Sequence, residues 1–276
     1  MTRPRVSVVK YLNTVPLVWG MLHGEQRGKY ELDFTTPAGC ADAVLAGQAD
    51  VGIVPSIEYQ RMQEVEILPG LSIASKAPVR SVLLLSAVPI ERIRTVSIDD
   101  SSRTSVALTA ILLRKFYQRE FDSIPSAPDP DEMLKRADAA LVIGDPALAY
   151  KGQAAHVYDL AAEWKKFTGL PFVFALWVGH ADRAWGDLRQ DFEDSCAYGL
   201  AHLDDIANAY APSCGLTPKE VKVYLTENID YTLDEENLRG LGLFYKLARE
   251  LGITEEEKGL RFRDPAGRTR RWTRDK

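Results

Sequence analysis

The N-terminal quarter of the chain switches between two hydrophobic periods, and that alternation restricts the fold more than any other feature. Arg5-Val-Ser-Val-Val-Lys10 is β-branched and partly alternating, which is the pattern of a strand. It runs into Tyr11-Leu-Asn-Thr-Val-Pro16, where the fixed φ of Pro16 suits a first helical turn. Thr36 followed by Pro37 opens a second helix, which carries Ala41, Val44 and Leu45 and stops at Gly47. Asp50-Val-Gly-Ile-Val54 is then a short buried strand ended by Pro55. Strand, helix, strand in this order implies an α/β sheet.

Two long apolar runs follow, Arg80–Ser86 and Pro171–Val178, and both read as strands. Between them lie a strand at Thr95–Ile98, a long helix from about Ser102, a strand at Ala139–Ile143 and the turn Gly144-Asp145-Pro146. Beyond the second run the pattern is helical over Ala184–Tyr210, Thr217–Asn228 and Asp234–Leu251. Thr217 with Glu220, and Asp234 with Asn237, mark helix starts. An α/β unit bracketed by two long strands predicts a two-lobed α/β fold with two crossovers. One lobe takes residues 1–86 and 175–276, and the other is an inserted unit at 87–174. Ligands in such folds sit in the cleft, at the carboxyl ends of strands.

Composition narrows the ligand. Thirty-four basic against 39 acidic residues leave a net charge of −5, with no broad footprint for nucleic acid or an anionic membrane. Any bound anion therefore needs a local site. Cys40, Cys196 and Cys214 form no C-x-x-C pair, and the four histidines show no ligand spacing, so no metal site is expected. Reduced cysteines fit a cytoplasmic protein. The apolar stretch Val15–Leu22 is broken by Pro16 and Gly20, short of the ~20 residues a bilayer needs and unlike a secretion signal. Gly-rich phosphate loops are absent and Gly240-Leu-Gly242 lacks a third glycine, so no nucleotide cofactor is expected, while the lack of a G-x-S-x-G elbow argues weakly against acyl transfer. The arginine-rich tail from Arg261 to Lys276 reads as a solvated basic terminus.

The chemistry concentrates in Asp99-Asp-Ser-Ser-Arg-Thr-Ser105, which follows a strand and opens a helix. Free N–H groups and the helix dipole favour an acid in a first turn. This turn instead carries Arg103 among the hydroxyls of Ser101, Ser102, Thr104 and Ser105. Either an outside carboxylate or phosphate is bound there, or a serine caps the helix and Arg103 faces solvent. Asn13, Ser56 and Asp145 also follow strands directly; each suits an ordinary cap, but together with the serine-rich turn they outline one convergent polar pocket.

These segments resemble one family. Tyr11-Leu-Asn13 with Pro16-Leu17, Ile53-Val-Pro-Ser-Ile-Glu58, Gly70 with Ala77-Pro-Val-Arg-Ser81, the Thr95–Ser105 stretch, Ile143-Gly-Asp-Pro146 and Glu163-Trp164 with Thr168-Gly-Leu-Pro-Phe-Val-Phe174 are similar to the chorismate dehydratases of the futalosine route to menaquinone. The likeness covers about residues 5–180; the helical C-terminal third is similar in layout only. The resemblance implies a periplasmic-binding-protein-like fold used as a cytoplasmic enzyme. Such an enzyme removes water from chorismate to give 3-[(1-carboxyvinyl)oxy]benzoate, with no metal or organic cofactor. It implies Asn13 and Ser81 in the chemistry and the Ser101–Ser105 turn on a substrate carboxylate, with Ser56, Gly144 and Asp145 among the substrate contacts. The proton acceptor is either Asp145 or the substrate's own enolpyruvyl carboxylate, with the latter favoured. A solute-binding protein for a small carboxylate and the sister cyclase of the same route are the rival readings, and oligomeric state is not legible.

Overall fold

The computed structural model describes residues 3–99, 101–183, 188–263 and 268–272. The chain begins with β1 (Arg5–Val9), β2 (Glu31–Thr35), β3 (Val51–Pro55) and the long β4 (Val65–Ser75). It then crosses into a second sheet made of β5 (Val82–Ser86), β6 (Thr95–Ile98), β7 (Asp122–Pro125), β8 (Ala139–Ile143) and β9 (His156–Asp159). It returns through β10 (Phe172–His180), and β11 (Asp230–Leu233), β12 (Arg261–Arg263) and β13 (Thr269–Arg271) complete the first sheet. The helices are α1 (Val15–His23), α2 (Pro37–Leu45), α3 (Arg103–Ile111), α4 (Pro130–Arg136), α5 (Gly144–Ala149), α6 (Leu160–Thr168), α7 (Leu188–Ala201), α8 (Leu203–Cys214), α9 (Pro218–Val223) and α10 (Glu235–Glu250).

The first sheet runs β13-β12-β4-β10-β3-β1-β2, with β11 also on β4; the second runs β7-β6-β8-β5-β9. In the first, β1 is parallel to β2 and β3, and β10 is antiparallel to β3 and β4. Strands β3 and β8 are buried along their whole length, which explains why they read as continuous apolar runs. Thr36 caps α2 by accepting the Gly39 N–H at 3.1 Å, and Thr217 with Glu220 forms a reciprocal capping box on α9. One hydrophobic core extends across both sheets, from Val8 and Ile53 to Leu84, Ile98 and Leu141.

Two lobe boundaries and one helix need correction. Val82–Ser86 pairs with β8 and β9, so it belongs to the second sheet and not to the lobe of residues 1–86. The crossing lies just before it, where the Asp159 carboxylate accepts the Val79 N–H at 3.1 Å and the Arg80 N–H at 2.6 Å. On the return, Phe172–Phe174 already belongs to β10 of the first sheet, not to the inserted unit. The longest strand, β4, is not picked out in the sequence and contains Pro69-Gly70. The strand passes through it with Gly70 at φ +95, and β10 shifts register opposite it. The predicted helix over 184–210 divides at His202 into α7 and α8, and its residues 184–187 lie outside those described. Residues 264–267 and 273–276 of the basic tail also lie outside them; Arg261–Arg263 and Thr269–Arg271 pair as β12 and β13.

Candidate active site

Between the sheets lies a cleft of about 570 Å³, open solvent at its mouth included, walled by Val9, Tyr11, Asn13, Pro55, Ile73 and Phe174 on one side and by Ser81, Val82, Ser102, Thr104, Ser105, Ile143 and Gly144 on the other. Asn13 enters it from a single helical turn at Leu12–Thr14, directly after β1. Thr14 fixes that turn by donating its hydroxyl to the Val9 and Tyr11 carbonyls. The second sheet clasps it as well, because Asp145 Oδ1 accepts the Leu12 N–H at 3.0 Å.

Ser81 sits where the chain enters β5, and its carbonyl accepts the Gly144 N–H at 2.7 Å. Its hydroxyl oxygen accepts the phenol O–H of Tyr224 at 2.8 Å. The Asn13 side chain hydrogen-bonds to the same phenol. Burial holds the Tyr224 phenol above its ordinary range, so it stays protonated. Asn13 and Ser81, remote in sequence, are thus brought together over a residue that sequence reasoning missed. Tyr224 lies 143 positions from Ser81 in an ordinary-looking helical stretch, and no local signal marks it.

The N-terminus of α3 opens onto the cleft through Ser102, Thr104 and Ser105. Ser102 makes no side-chain cap, and the first turn holds no acid, so the positive end of the helix is not neutralised from within its own turn. Thr104 Oγ1 accepts the Ile57 N–H at 3.1 Å, which fixes this turn against the first sheet. Glycine is required at 144, where φ is +65 and a Cβ would stand 2.8 Å from the Tyr11 ring. Tyr11 forms part of the wall, its phenol raised first by burial and then by Asp99.

Four residues expected to contact a ligand are turned elsewhere. Arg103 does not line the cleft: its guanidinium lies 2.9 Å from Glu58 Oε2 and 3.3 Å from Asp42 Oδ1. The anion missing from its turn comes from the chain itself, because the Glu58 side chain is 3% exposed and needs a cation. Ser101 gives its hydroxyl to Asp99, closing the loop before α3. Ser56 donates to the Val173 carbonyl at 2.8 Å and so ties the end of β3 to β10. Asp145 is spent on the Leu12 N–H and the Cys214 thiol, and burial raises its pKa. Asp100 lies outside the described residues. Among those described, no cleft-lining residue carries a carboxylate, imidazole, ammonium or guanidinium.

A family model described as menaquinone biosynthesis matches residues 4–250. The chain belongs to that menaquinone-biosynthesis family. Relatives of this family member include a chorismate dehydratase of Thermus thermophilus, 29% identical over 276 aligned positions that cover 91% of this chain and 96% of the relative. Another is a chorismate dehydratase of Campylobacter jejuni, 25% identical, covering 89% and 97%. Among solved structures, an Archaeoglobus fulgidus protein superposes with a TM-score of 0.73 at 17% identity, covering 91% of this chain and 98% of that one. The periplasmic aliphatic sulphonate binding protein of Escherichia coli gives 0.65 at 16%, covering 99% and 94%. The alkanesulfonate-binding protein of Xanthomonas axonopodis pv. citri, bound to MOPS, gives 0.68 at 13%, covering 93% and 96%. The menaquinone-family chain therefore has the periplasmic-binding-protein-like fold, as its sequence implied.

Proposed function

We propose that this protein is a chorismate dehydratase that converts chorismate to 3-[(1-carboxyvinyl)oxy]benzoate and water in menaquinone biosynthesis. The observation that carries the reading is a cleft whose positive feature is the uncapped, acid-free start of α3, with neutral polar groups facing it. Chorismate is a dianion. Its ring carboxylate suits the N–H groups of α3 and the hydroxyls of Ser102, Thr104 and Ser105. The proton lost from C3 is vinylogous to that carboxylate, so donors fixed on it stabilise the negative charge as it develops.

The base follows from the same inventory. Histidine is the usual acceptor near neutral pH, yet among the described residues none of the cleft lining is basic, and Asp145 is committed to Leu12 and Cys214. The substrate's enolpyruvyl carboxylate therefore takes the C3 proton. The C3–H electron pair passes into the ring, the C4–O bond breaks, and the departing hydroxide recovers that proton as water. Aromatisation drives the sum, and the protein's task is to hold the side-chain carboxylate against the proton. Asn13 and Ser81 face the cleft from its two walls, placed to hydrogen-bond the leaving oxygen. No cofactor enters this scheme, and free cytoplasmic chorismate is its substrate. Among the described residues no helix is long and apolar enough to cross a membrane.

The test is loss of chorismate's diene absorbance with product identified by mass, on wild type beside Asn13→Ala and Ser81→Ala. Wild type should turn over and each variant should lose about 10²-fold or more in kcat. No turnover by wild type overturns the dehydratase in favour of a binding protein. Equal rates in all three remove both side chains from the mechanism.

A further inference from the structure

We infer that Tyr224 is a positioning residue for the reaction: its phenol occupies the acceptor side of Ser81 Oγ and so aims the serine's own proton into the cleft. This rests on the dehydratase reading. The phenol donates to Ser81 at 2.8 Å in a buried contact, and the Asn13 amide hydrogen-bonds to the phenol. A hydroxyl has one proton to give. With Tyr224 donating to its oxygen, Ser81 keeps its own proton for whatever occupies the cleft. The geometric link is Tyr224 to Ser81, and the phenol polarises the serine hydroxyl it donates to.

The fold delivers Tyr224 to this place. It opens a π-turn at Tyr224–Asn228, directly after α9, and such turns recur where a side chain must be redirected. The far end of the turn is fastened to the crossing segment, because Asn228 Nδ2 donates to the Pro78 carbonyl at 2.8 Å. Tyr224 itself is 1% exposed and does not line the cleft, so it acts on substrate only through its two neighbours. As the C4–O bond breaks, Ser81 donates a hydrogen bond to the leaving oxygen, and the phenol behind it holds the hydroxyl in that orientation. The leaving hydroxide then takes the C3 proton from the enolpyruvyl carboxylate, so one water is released and the protein is unchanged.

The experiment is a four-protein cycle: wild type, Tyr224→Phe, Ser81→Ala and the double variant, each checked for folding by circular dichroism. Tyr224→Phe should lower kcat about 10- to 100-fold with KM within threefold of wild type. In the Ser81→Ala background the same change should alter kcat less than twofold, since the hydroxyl it orients is gone. An undiminished kcat in Tyr224→Phe overturns the inference. So does an equal loss in both backgrounds, which is the mark of a general packing defect. Should wild type not consume chorismate, the dehydratase reading fails separately. The urea midpoints of the same four proteins then still report whether Tyr224 and Ser81 are coupled, and additive shifts overturn their link.

Discussion

At the scale of single residues, Arg103 shows what a sequence reading of charge can miss. Its turn lacks an acid, but Glu58, 45 positions away, supplies one from a buried site. Removing the cation strands that carboxylate, with the half-exposed Arg61 as its remaining partner. Arg103→Met should therefore lower unfolding free energy by about 1–3 kcal/mol in urea titration while leaving KM for chorismate within threefold. A tenfold rise in KM with unchanged stability would restore Arg103 to the substrate site. Asn13, Ser81, Ser102, Thr104, Ser105 and Gly144 were legible as cleft residues because each follows a strand or lies beside a family motif. Tyr224 and Glu58 were not, since their partners are close in space alone. Gly144→Ala tests the tightest contact: a left-handed φ costs about 1–2 kcal/mol for a residue with a Cβ, and the Tyr11 ring must move as well. Lower thermal stability and at least a tenfold loss in kcat/KM are the expected pair of results.

At the scale of elements, the proposed function makes α3 a helix that trades stability for a binding site. A serine at its N-cap makes no cap bond, although serine is among the best capping residues. On the proposed reading, the groups left over are those offered to a ligand carboxylate. Ser102→Asp supplies an internal anion in the place of the external one. It should stabilise the protein by about 0.5–1 kcal/mol and weaken chorismate binding at least tenfold. Unchanged binding in a stabilised variant would place the substrate carboxylate elsewhere. Elements with clean periodicity and caps, such as α2, β3, β8 and α10, were readable from their own residues. Strand β4 was not, because Pro69-Gly70 is a turn by every local rule and only pairing with β10 on one side and β11 on the other keeps it extended. The transfer of Val82–Ser86 to the second sheet is equally non-local, decided by backbone bonds from Val79 and Arg80 to Asp159.

At the scale of the whole molecule, the larger of two hydrophobic clusters crosses both sheets, so the two sheets should unfold together. The C-terminal segment closes the first sheet beyond β4, and Lys258 is its main fastening. Its ammonium donates to the Met62 and Val65 carbonyls and sits 3.9 Å from the Tyr59 ring centre. Tyr59 in turn donates to the Gly259 carbonyl and accepts the Arg261 N–H, both at 2.9 Å. Burial, with Arg261 adding repulsion, pushes the Lys258 pKa down from 10.5 to about 7. A base whose folded pKa lies below its unfolded value binds fewer protons when folded. Its contribution to stability therefore rises with pH from about 7 towards 10.5 and is lost as pH falls back through 7. A full shift of this kind contributes about 1.4 kcal/mol per pH unit, and partial exposure discounts it here. Between pH 7 and 9 the wild type should gain about 1–2 kcal/mol over Lys258→Met in paired urea titrations, because the variant has no proton to release there. The raised tyrosines titrate higher and are common to both proteins, so they cancel in that difference. A difference that stays constant across the range would mean that Lys258 remains charged, held by its carbonyls and by the face of Tyr59.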